Sequence, residues 1–113
     1  MLKKVRTVRY TPNTGEVNTK DEKLQFFTKD KNTAILHVCG VPDGVTAELV
    51  VRPNGGTAMT VTGKTIKIGK DYCVEFLLPV DTATKYEAQI KCQWKYEYSY
   101  SNKFEYTSEE VLG

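Results

Sequence analysis

Residues 86–95 alternate strictly between apolar and polar side chains. A period of two is that of a β-strand with one buried face, because successive side chains of a strand point to opposite sides. This stretch therefore predicts a long strand in a sheet that is covered on one side. The residues expected to face the core are Tyr86, Ala88, Ile90, Cys92 and Trp94.

Shorter runs of the same alternation predict a chain built almost entirely of strands. Helical periodicity is nearly absent, and turn sequences such as Pro42-Asp43-Gly44 and Pro53-Asn54-Gly55 separate the runs. About eight short strands with regular turns favour an all-β fold, a single antiparallel sandwich rather than a barrel. The predicted strands are residues 5–10, 23–28, 33–39, 46–52, 57–62, 65–68, 72–78 and 86–94.

Length and charge exclude several classes of function. A chain of 113 residues fits one domain, and it has no apolar run of the roughly 20 residues that cross a bilayer, so we expect no membrane insertion. The formal charge of +2 argues against nucleic acid. The basic cluster Lys3, Lys4, Arg6 and Arg9 fits a solvated edge strand better than a phosphate-binding arm. No secretory signal follows these basic residues.

Catalytic, metal and cofactor motifs do not rise above background. Cys39, Cys73 and Cys92 are odd in number, widely spaced and without zinc-ligand spacing, which predicts buried thiols in a reducing compartment. His37 is the single histidine, and a packed or hydrogen-bonded role is expected for it. The stretch Gly63-Lys64-Thr65 lacks the first glycine of a phosphate-binding loop. We therefore expect no cofactor and no enzymatic activity.

Aromatic residues continue at even positions beyond residue 94, and a straight strand over residues 86–106 would be about 70 Å long at roughly 3.3 Å per residue. The chain must turn, and turn residues lie at 99–102. A two-residue loop there pairs Tyr96 with Glu105. A three-residue loop over residues 99–101 keeps the parity and pairs Tyr96 with Phe104 and Trp94 with Tyr106, which is the register we predict.

The predicted register also places opposite charges across the hairpin, Glu97 facing Lys103 and Lys95 facing Glu105. In this register Trp94 and Tyr106 belong to the core. The residues at the loop tip are expected to be at least half exposed, and tyrosine is enriched in protein interfaces. The candidate partner-contact residues are Tyr98, Tyr100, Lys95, Glu97 and Lys103.

The order of these motifs resembles the N-terminal domain of phage baseplate upper proteins, found in the tail tips of siphophages of Gram-positive bacteria. The resemblance spans about residues 20–107, and Lys85 stands where the family often has glycine. The motifs are Thr33-Ala34-Ile35-Leu36, the turn Pro53-Asn54-Gly55, the strand end Leu77-Leu78-Pro79, the tyrosine-led run Tyr86-Glu87-Ala88-Gln89-Ile90, and an S-x-x-F-x-Y strand at Ser101 to Tyr106.

This resemblance implies an Ig-like sandwich that docks on other virion proteins of the tail baseplate and supports receptor-binding modules. It also implies a homo-oligomer, a trimer. The missing secretory signal and the unpaired cysteines fit assembly of the virion in the host cytoplasm. The spacing from Pro79 to Tyr86 is similar to, though longer than, the tyrosine corner of Ig and fibronectin domains. A capping box at Thr107-Ser108-Glu109-Glu110 predicts a division into a sandwich, residues 1–107, and the start of a helix or tail, residues 108–113.

Two further functions stay open at the level of sequence. A carbohydrate-binding or adhesion module would use Tyr98 and Tyr100 to stack on sugar rings. A small enzyme is the least favoured reading, because no set of residues supports it. The leading hypothesis is a non-enzymatic structural component of a phage virion.

Overall fold

The computed structural model describes residues 4–11, 15–18 and 24–110. Eleven strands and one 3-10 turn, at Thr28–Asp30, lie in these ranges. No helix among the described residues could span a membrane. The strands are β1 (Lys4–Thr11), β2 (Glu16–Asn18), β3 (Gln25–Phe27), β4 (Ala34–Cys39), β5 (Thr46–Pro53), β6 (Met59–Thr62), β7 (Lys64–Ile68), β8 (Asp71–Leu77), β9 (Thr84–Trp94), β10 (Glu97–Tyr100) and β11 (Phe104–Glu109).

The strands form two sheets that pack face to face. One sheet has the order β2-β1-β4-β8-β7, and the other has the order β3-β11-β9-β5-β6, with β10 added to β9. The prediction of a single all-β sandwich is therefore confirmed. The prediction that all pairings are antiparallel is wrong, because β1 pairs with β4 and β3 pairs with β11 in parallel. The two strands of each parallel pair are separated in sequence by a long crossover connection. The local alternation of apolar and polar residues does not indicate which distant strands pair.

The core is built from apolar side chains of both inner faces, with tyrosines as its largest members. Tyr86 and Tyr106 stack with ring centroids 4.7 Å apart, and Phe26 meets Tyr106 edge-on at 5.9 Å. The two tyrosine hydroxyls donate to backbone carbonyls, that of Tyr86 to Thr82 at 3.1 Å and that of Tyr106 to Pro79 at 2.8 Å. The bond from Tyr86 reaches four residues upstream and acts as a tyrosine corner. Both tyrosines thus fix the loop before β9.

A single stretch of chain serves both sheets at their edge. β6 pairs with β5 in the six-stranded sheet, and β7 pairs with β8 in the five-stranded sheet. Gly63 lies between them and donates its N–H to the carbonyl of Ala47 at 3.0 Å. A Cβ at this position would collide with side-chain atoms of Val74 and Phe76, so the crossing requires glycine.

The cysteines differ from the prediction of three free thiols. Cys39 and Cys73 lie opposite each other on β4 and β8 and form a disulfide. Their separation of 34 residues in sequence conceals the fact that they are direct cross-strand neighbours. Cys92 is a buried thiol, and burial raises its pKa from 9.0 to about 11. His37 has the expected hydrogen-bonded role, since its Nε2 lies 2.9 Å from Glu75 Oε2.

The prediction that a helix begins at Thr107 is wrong for the residues that the structure describes. Residues 107–109 continue β11, where Thr107 to Glu109 pair with β3. The Ser108 hydroxyl is buried and donates to the carbonyl of Val80 at 2.7 Å, so it anchors a strand instead of capping a helix. Residues 111–113, the predicted first apolar residues of that helix included, lie outside the described residues, as does Lys3.

Candidate interaction surface

The chain turns between β9 and β10 at Lys95 and Tyr96. Trp94 pairs with Glu97, so the loop has two residues, and it lies earlier than the predicted loop at residues 99–101. Lys95 has a φ of 57°, a left-handed conformation that costs a non-glycine residue roughly 1 kcal/mol or more. The turn carries neither of the residues, Asn and Gly, that favour such a hairpin, which is why the sequence does not reveal it.

The early turn puts two tyrosines on the outer face of the six-stranded sheet. Tyr98 lies opposite Gln93 and Tyr100 opposite Lys91, and both partners belong to the polar face of β9. The two side chains are 58% and 56% exposed. The prediction that both are at least half exposed is confirmed, although they lie along a strand and not at the tip of a loop.

A bulge after β10 then reverses which face of the sheet the even-numbered residues occupy. The register of β10 pairs Tyr100 with Lys91, whereas β11 pairs Phe104 with Ala88. Continuing both registers leaves two residues, 102 and 103, opposite the single residue Gln89, which is a β-bulge. The bulge is held by Asn102, whose side-chain oxygen accepts the N–H of Val17 at 2.7 Å.

Because of the bulge, the aromatic residues of β11 point inward. Phe104 faces Ala88 and Tyr106 faces Tyr86, and both aromatic side chains are buried. The prediction that Tyr106 is core is confirmed. The predicted pairings of Tyr96 with Phe104 and of Trp94 with Tyr106 are wrong.

The predicted charge pairs, Glu97 with Lys103 and Lys95 with Glu105, are wrong, because the chain already turns at residues 95–96 and the bulge then shifts the register. Glu105 on β11 and Lys103 in the bulge instead pair diagonally with residues of β9. Lys85 Nζ lies 2.9 Å from Glu105 Oε2, and Lys103 Nζ lies 3.6 Å from Glu87 Oε1. These pairs support the β9–β11 half of the sheet, and Lys103 is thereby drawn away from the hairpin.

Two further aromatic side chains, Trp94 and Tyr96, are exposed at the end of the hairpin. Trp94 is on the inward side of β9 but lies at its last residue, so it is 39% exposed and not core as predicted. Its Nε1 donates to the carbonyl of Asp43 at 3.1 Å, which fixes the ring. Tyr96 is 98% exposed. We call the set of Trp94, Tyr96, Tyr98 and Tyr100 the aromatic hairpin.

Two lysines lie over rings of the aromatic hairpin. The Nζ of Lys95 is 4.6 Å from the ring centroid of Trp94, and that of Lys91 is 5.1 Å from that of Tyr98. Such cation–π contacts contribute roughly 0.5–1 kcal/mol at exposed sites and restrict the rings. The hairpin thus presents ordered aromatic faces together with positive charge.

A shallow groove of about 240 Å³ begins beside Tyr98 on the outer face of the same sheet. Lys91 and Gln93 form one wall, and Glu48 and Thr62 line the other side. The groove therefore combines one aromatic ring with donors, acceptors and both signs of charge. Within residues 4–11, 15–18 and 24–110, no cluster of His, Cys, Asp and Glu could hold a metal ion.

Of the five residues that the sequence singles out, four lie on one hairpin: Tyr98, Tyr100, Lys95 and Glu97. Lys103 lies in the bulge and pairs with Glu87. Sequence reasoning missed the exposure of Trp94 and Tyr96. No signal in the sequence marks the turn at residues 95–96, because the alternation of apolar and polar residues continues without a break from residue 86 to residue 101.

Comparisons with known proteins provide evidence about the fold of the chain. The sequence matches no protein-family model and no curated protein. Among solved structures, the chain is similar to the N-terminal domain of phage TP901-1 ORF48, with a TM-score of 0.51 and 12% identity. The similarity covers 96% of this chain and 99% of that chain, so it concerns the whole sandwich. The resemblance to a phage baseplate N-terminal domain, first seen in short sequence motifs, is thus confirmed at the level of the fold.

Proposed function

We propose that this chain is a non-enzymatic structural component of a phage tail baseplate, and that its sandwich docks onto other virion proteins. The observation that carries the proposal is the similarity to the N-terminal domain of phage TP901-1 ORF48 over nearly the full length of both chains. Shared length matters because the similarity then concerns the sandwich as a whole and not a single motif within it.

The aromatic hairpin is the docking element in this proposal. Tyr and Trp are enriched among the residues that dominate binding energy at protein interfaces. A hairpin selected for folding alone would carry Asn-Gly at its turn, not Lys95 at positive φ followed by a fully exposed Tyr96. Residues held in an unfavourable backbone conformation are most common at functional sites.

The predicted contact residues fit around this element with different roles. Tyr96 and Tyr98 would supply the buried centre of the interface, with Tyr100 beside them, and Lys95 and Glu97 would form its charged rim. Lys103 would contribute only at the periphery, since it is engaged with Glu87. Trimer formation and support of receptor-binding modules belong to the same proposal, as does assembly in the host cytoplasm.

Particles provide the direct test. Phage particles produced from the genome that encodes this chain would be purified on a density gradient and analysed by quantitative mass spectrometry, with immunogold labelling against the chain. We expect a fixed copy number per particle and gold at the tail tip. Absence of the chain from purified particles, or label confined to the capsid, contradicts the proposal.

A second function has its own support in the groove beside Tyr98. An aromatic ring next to Glu48, Lys91 and Gln93 offers a stacking surface with hydrogen-bonding groups, the composition of a sugar site. A glycan array tests this carbohydrate-binding function. Binding that disappears in Tyr98→Ala and persists in Ile68→Ala, an exposed apolar side chain on the other sheet, supports it, and an empty array removes it.

A further inference from the structure

A groove lies at the side of the sandwich where the chain passes from β6 to β7. The ladder between β7 and β8 ends at the pair Lys64 and Glu75, so the end of β8 extends beyond its neighbour on that edge. The resulting groove is about 240 Å³ in volume. Its floor is apolar and is formed by Val61, Leu77, Leu78 and Pro79, with Lys31 and Asp81 at the rim.

The floor includes apolar surface that the fold itself leaves uncovered. Leu77 is 48% exposed at the end of β8, and Val61 is only partly buried against the core. These two side chains come from different sheets, yet they line one groove. An exposed apolar side chain from each sheet is therefore available to the same ligand.

β6 forms the edge beside this groove, and its outward backbone groups can be assigned. Gly63 donates to Ala47, the residue opposite it in the register of β5 and β6. Hydrogen-bonded and non-hydrogen-bonded pairs alternate in an antiparallel ladder. Val61 is therefore bonded to β5, whereas the N–H and C=O groups of Thr60 and Thr62 point away from it. Among the described strands, β6 pairs with β5 alone.

We propose that an extended segment of a partner protein adds to β6 as a further strand and places an apolar side chain in the groove against Val61 and Leu77. In strand addition the main chain provides affinity, and a pocket for alternate side chains provides specificity. Both elements lie side by side here. The inference concerns a different surface from the aromatic hairpin and does not depend on the assignment to a phage tail.

Charge identifies the chemistry of the segment. Strand β6 carries no charged residue, and the charges beside it are Lys64, two residues beyond its end, and Lys31 and Asp81 at the groove, which leave an excess of positive charge. Lysines beside an edge strand oppose pairing with a second edge that carries the same charges. They therefore favour a partner strand that alternates acidic and apolar residues over a second copy of this chain.

A displayed library of random nine-residue peptides tests the inference with the intact chain as the target. We expect the enriched peptides to alternate apolar and acidic residues, and to shift the backbone amide resonances of Thr60 and Thr62 on binding. Thr60→Pro removes one outward N–H and should weaken binding at least tenfold, whereas Thr60→Val keeps the N–H and should bind as the wild type does. Leu77→Glu should also weaken binding at least tenfold.

Thermal unfolding of each variant establishes that it is folded, and Leu77→Glu provides the test if Thr60→Pro does not fold. The inference is overturned if no peptide is enriched, or if the enriched peptides bind Leu77→Glu as well as the wild type. It is also overturned if their resonance shifts fall on the aromatic hairpin. Absence of the chain from phage particles would leave these peptide results unaffected, so the two proposals fail separately.

Discussion

Ser101 is bonded to Ile90 twice. Its N–H donates to the carbonyl of Ile90 at 2.9 Å, and its side-chain Oγ accepts the N–H of Ile90 at 2.8 Å. The hydroxyl takes the place of a backbone carbonyl, and the freed carbonyl of Ser101 accepts from the Gln89 side chain at 2.8 Å. This exchange allows the bulge to form without a buried orphan donor. It therefore turns Phe104 and Tyr106 toward the core, after the turn at Lys95 has placed Tyr98 and Tyr100 on the outer face.

Replacing Ser101 with alanine should destabilise the domain. The N–H of Ile90 would lose its acceptor in a buried position, which costs roughly 1–3 kcal/mol. Urea unfolding followed by tryptophan fluorescence would measure this loss. Lys103→Ala is the control, because its exposed ion pair contributes less than about 1 kcal/mol. Equal stability of Ser101→Ala and the wild type would show that the hydroxyl does not sustain the bulge.

The left-handed backbone conformation of Lys95 should lower the free energy of unfolding of the domain. Lys95→Gly and Lys95→Ala both remove the contact with Trp94, but only glycine adopts a φ of 57° without strain. We expect the glycine variant to be about 1 kcal/mol more stable than the alanine variant. Paired chemical denaturation curves give this difference directly. An alanine variant as stable as the glycine variant would argue against the left-handed turn.

Gly63 should tolerate no side chain. A Cβ there meets Val74, Phe76 and the carbonyl of Ala47, so Gly63→Ala should cost about 1–3 kcal/mol through overpacking and should separate the two sheets at this corner. Gly56→Ala is the matched control, since its Cβ would approach only Pro53 in an exposed turn. The difference in melting temperature between the two variants is the readout, and similar values would contradict the tight crossing.

The buried thiol of Cys92 should make the domain sensitive to alkaline pH. Its pKa is about 11 when folded and 9.0 ordinarily, because burial disfavours the thiolate. The unfolded chain therefore loses this proton first, and the free energy of unfolding should fall as pH rises from 9 to 11. Burial also raises the pKa of Tyr10 and Tyr86, so a decline above pH 10 remains in any variant.

The variant Cys92→Ala isolates the part of the pH dependence of stability that comes from the thiol. In this variant the decline should begin roughly one pH unit higher than in the wild type, because it then comes from the tyrosines whose pKa burial raises. Free energies of unfolding measured from pH 7 to 11 give both curves. Parallel curves for the two proteins would contradict a buried Cys92 thiol.

Periodicity was enough to predict the fold class and most of the inner face. The alternation at residues 86–92 identified four core positions in β9, and the absence of helical periodicity predicted the sandwich. The parallel pairing of β1 with β4 and the disulfide between Cys39 and Cys73 could not be predicted. Both depend on which strands become neighbours across a sheet, and that choice leaves no period in the sequence.

The candidate site was predicted only in part, because one inserted residue changes the phase of a strand. Tyr98, Tyr100 and Tyr106 share parity in sequence, yet the first two face outward and the third faces the core. The signal for this reversal lies in Ser101, a residue that can accept a backbone hydrogen bond through its side chain. Such a role becomes visible only when Ile90 is known to lie opposite.

Incorporation of hairpin variants into phage particles is the sharpest test of docking through the aromatic hairpin. A triple variant with Tyr96, Tyr98 and Tyr100 each changed to alanine removes exposed rings and should unfold at nearly the wild-type temperature. The control is Ile68→Ala, which removes an exposed apolar side chain from the other sheet. Copies of the chain per purified particle would be counted by mass spectrometry. The account predicts normal incorporation of the control and at least a tenfold loss for the triple variant, whereas equal incorporation of both variants would contradict docking through the aromatic hairpin.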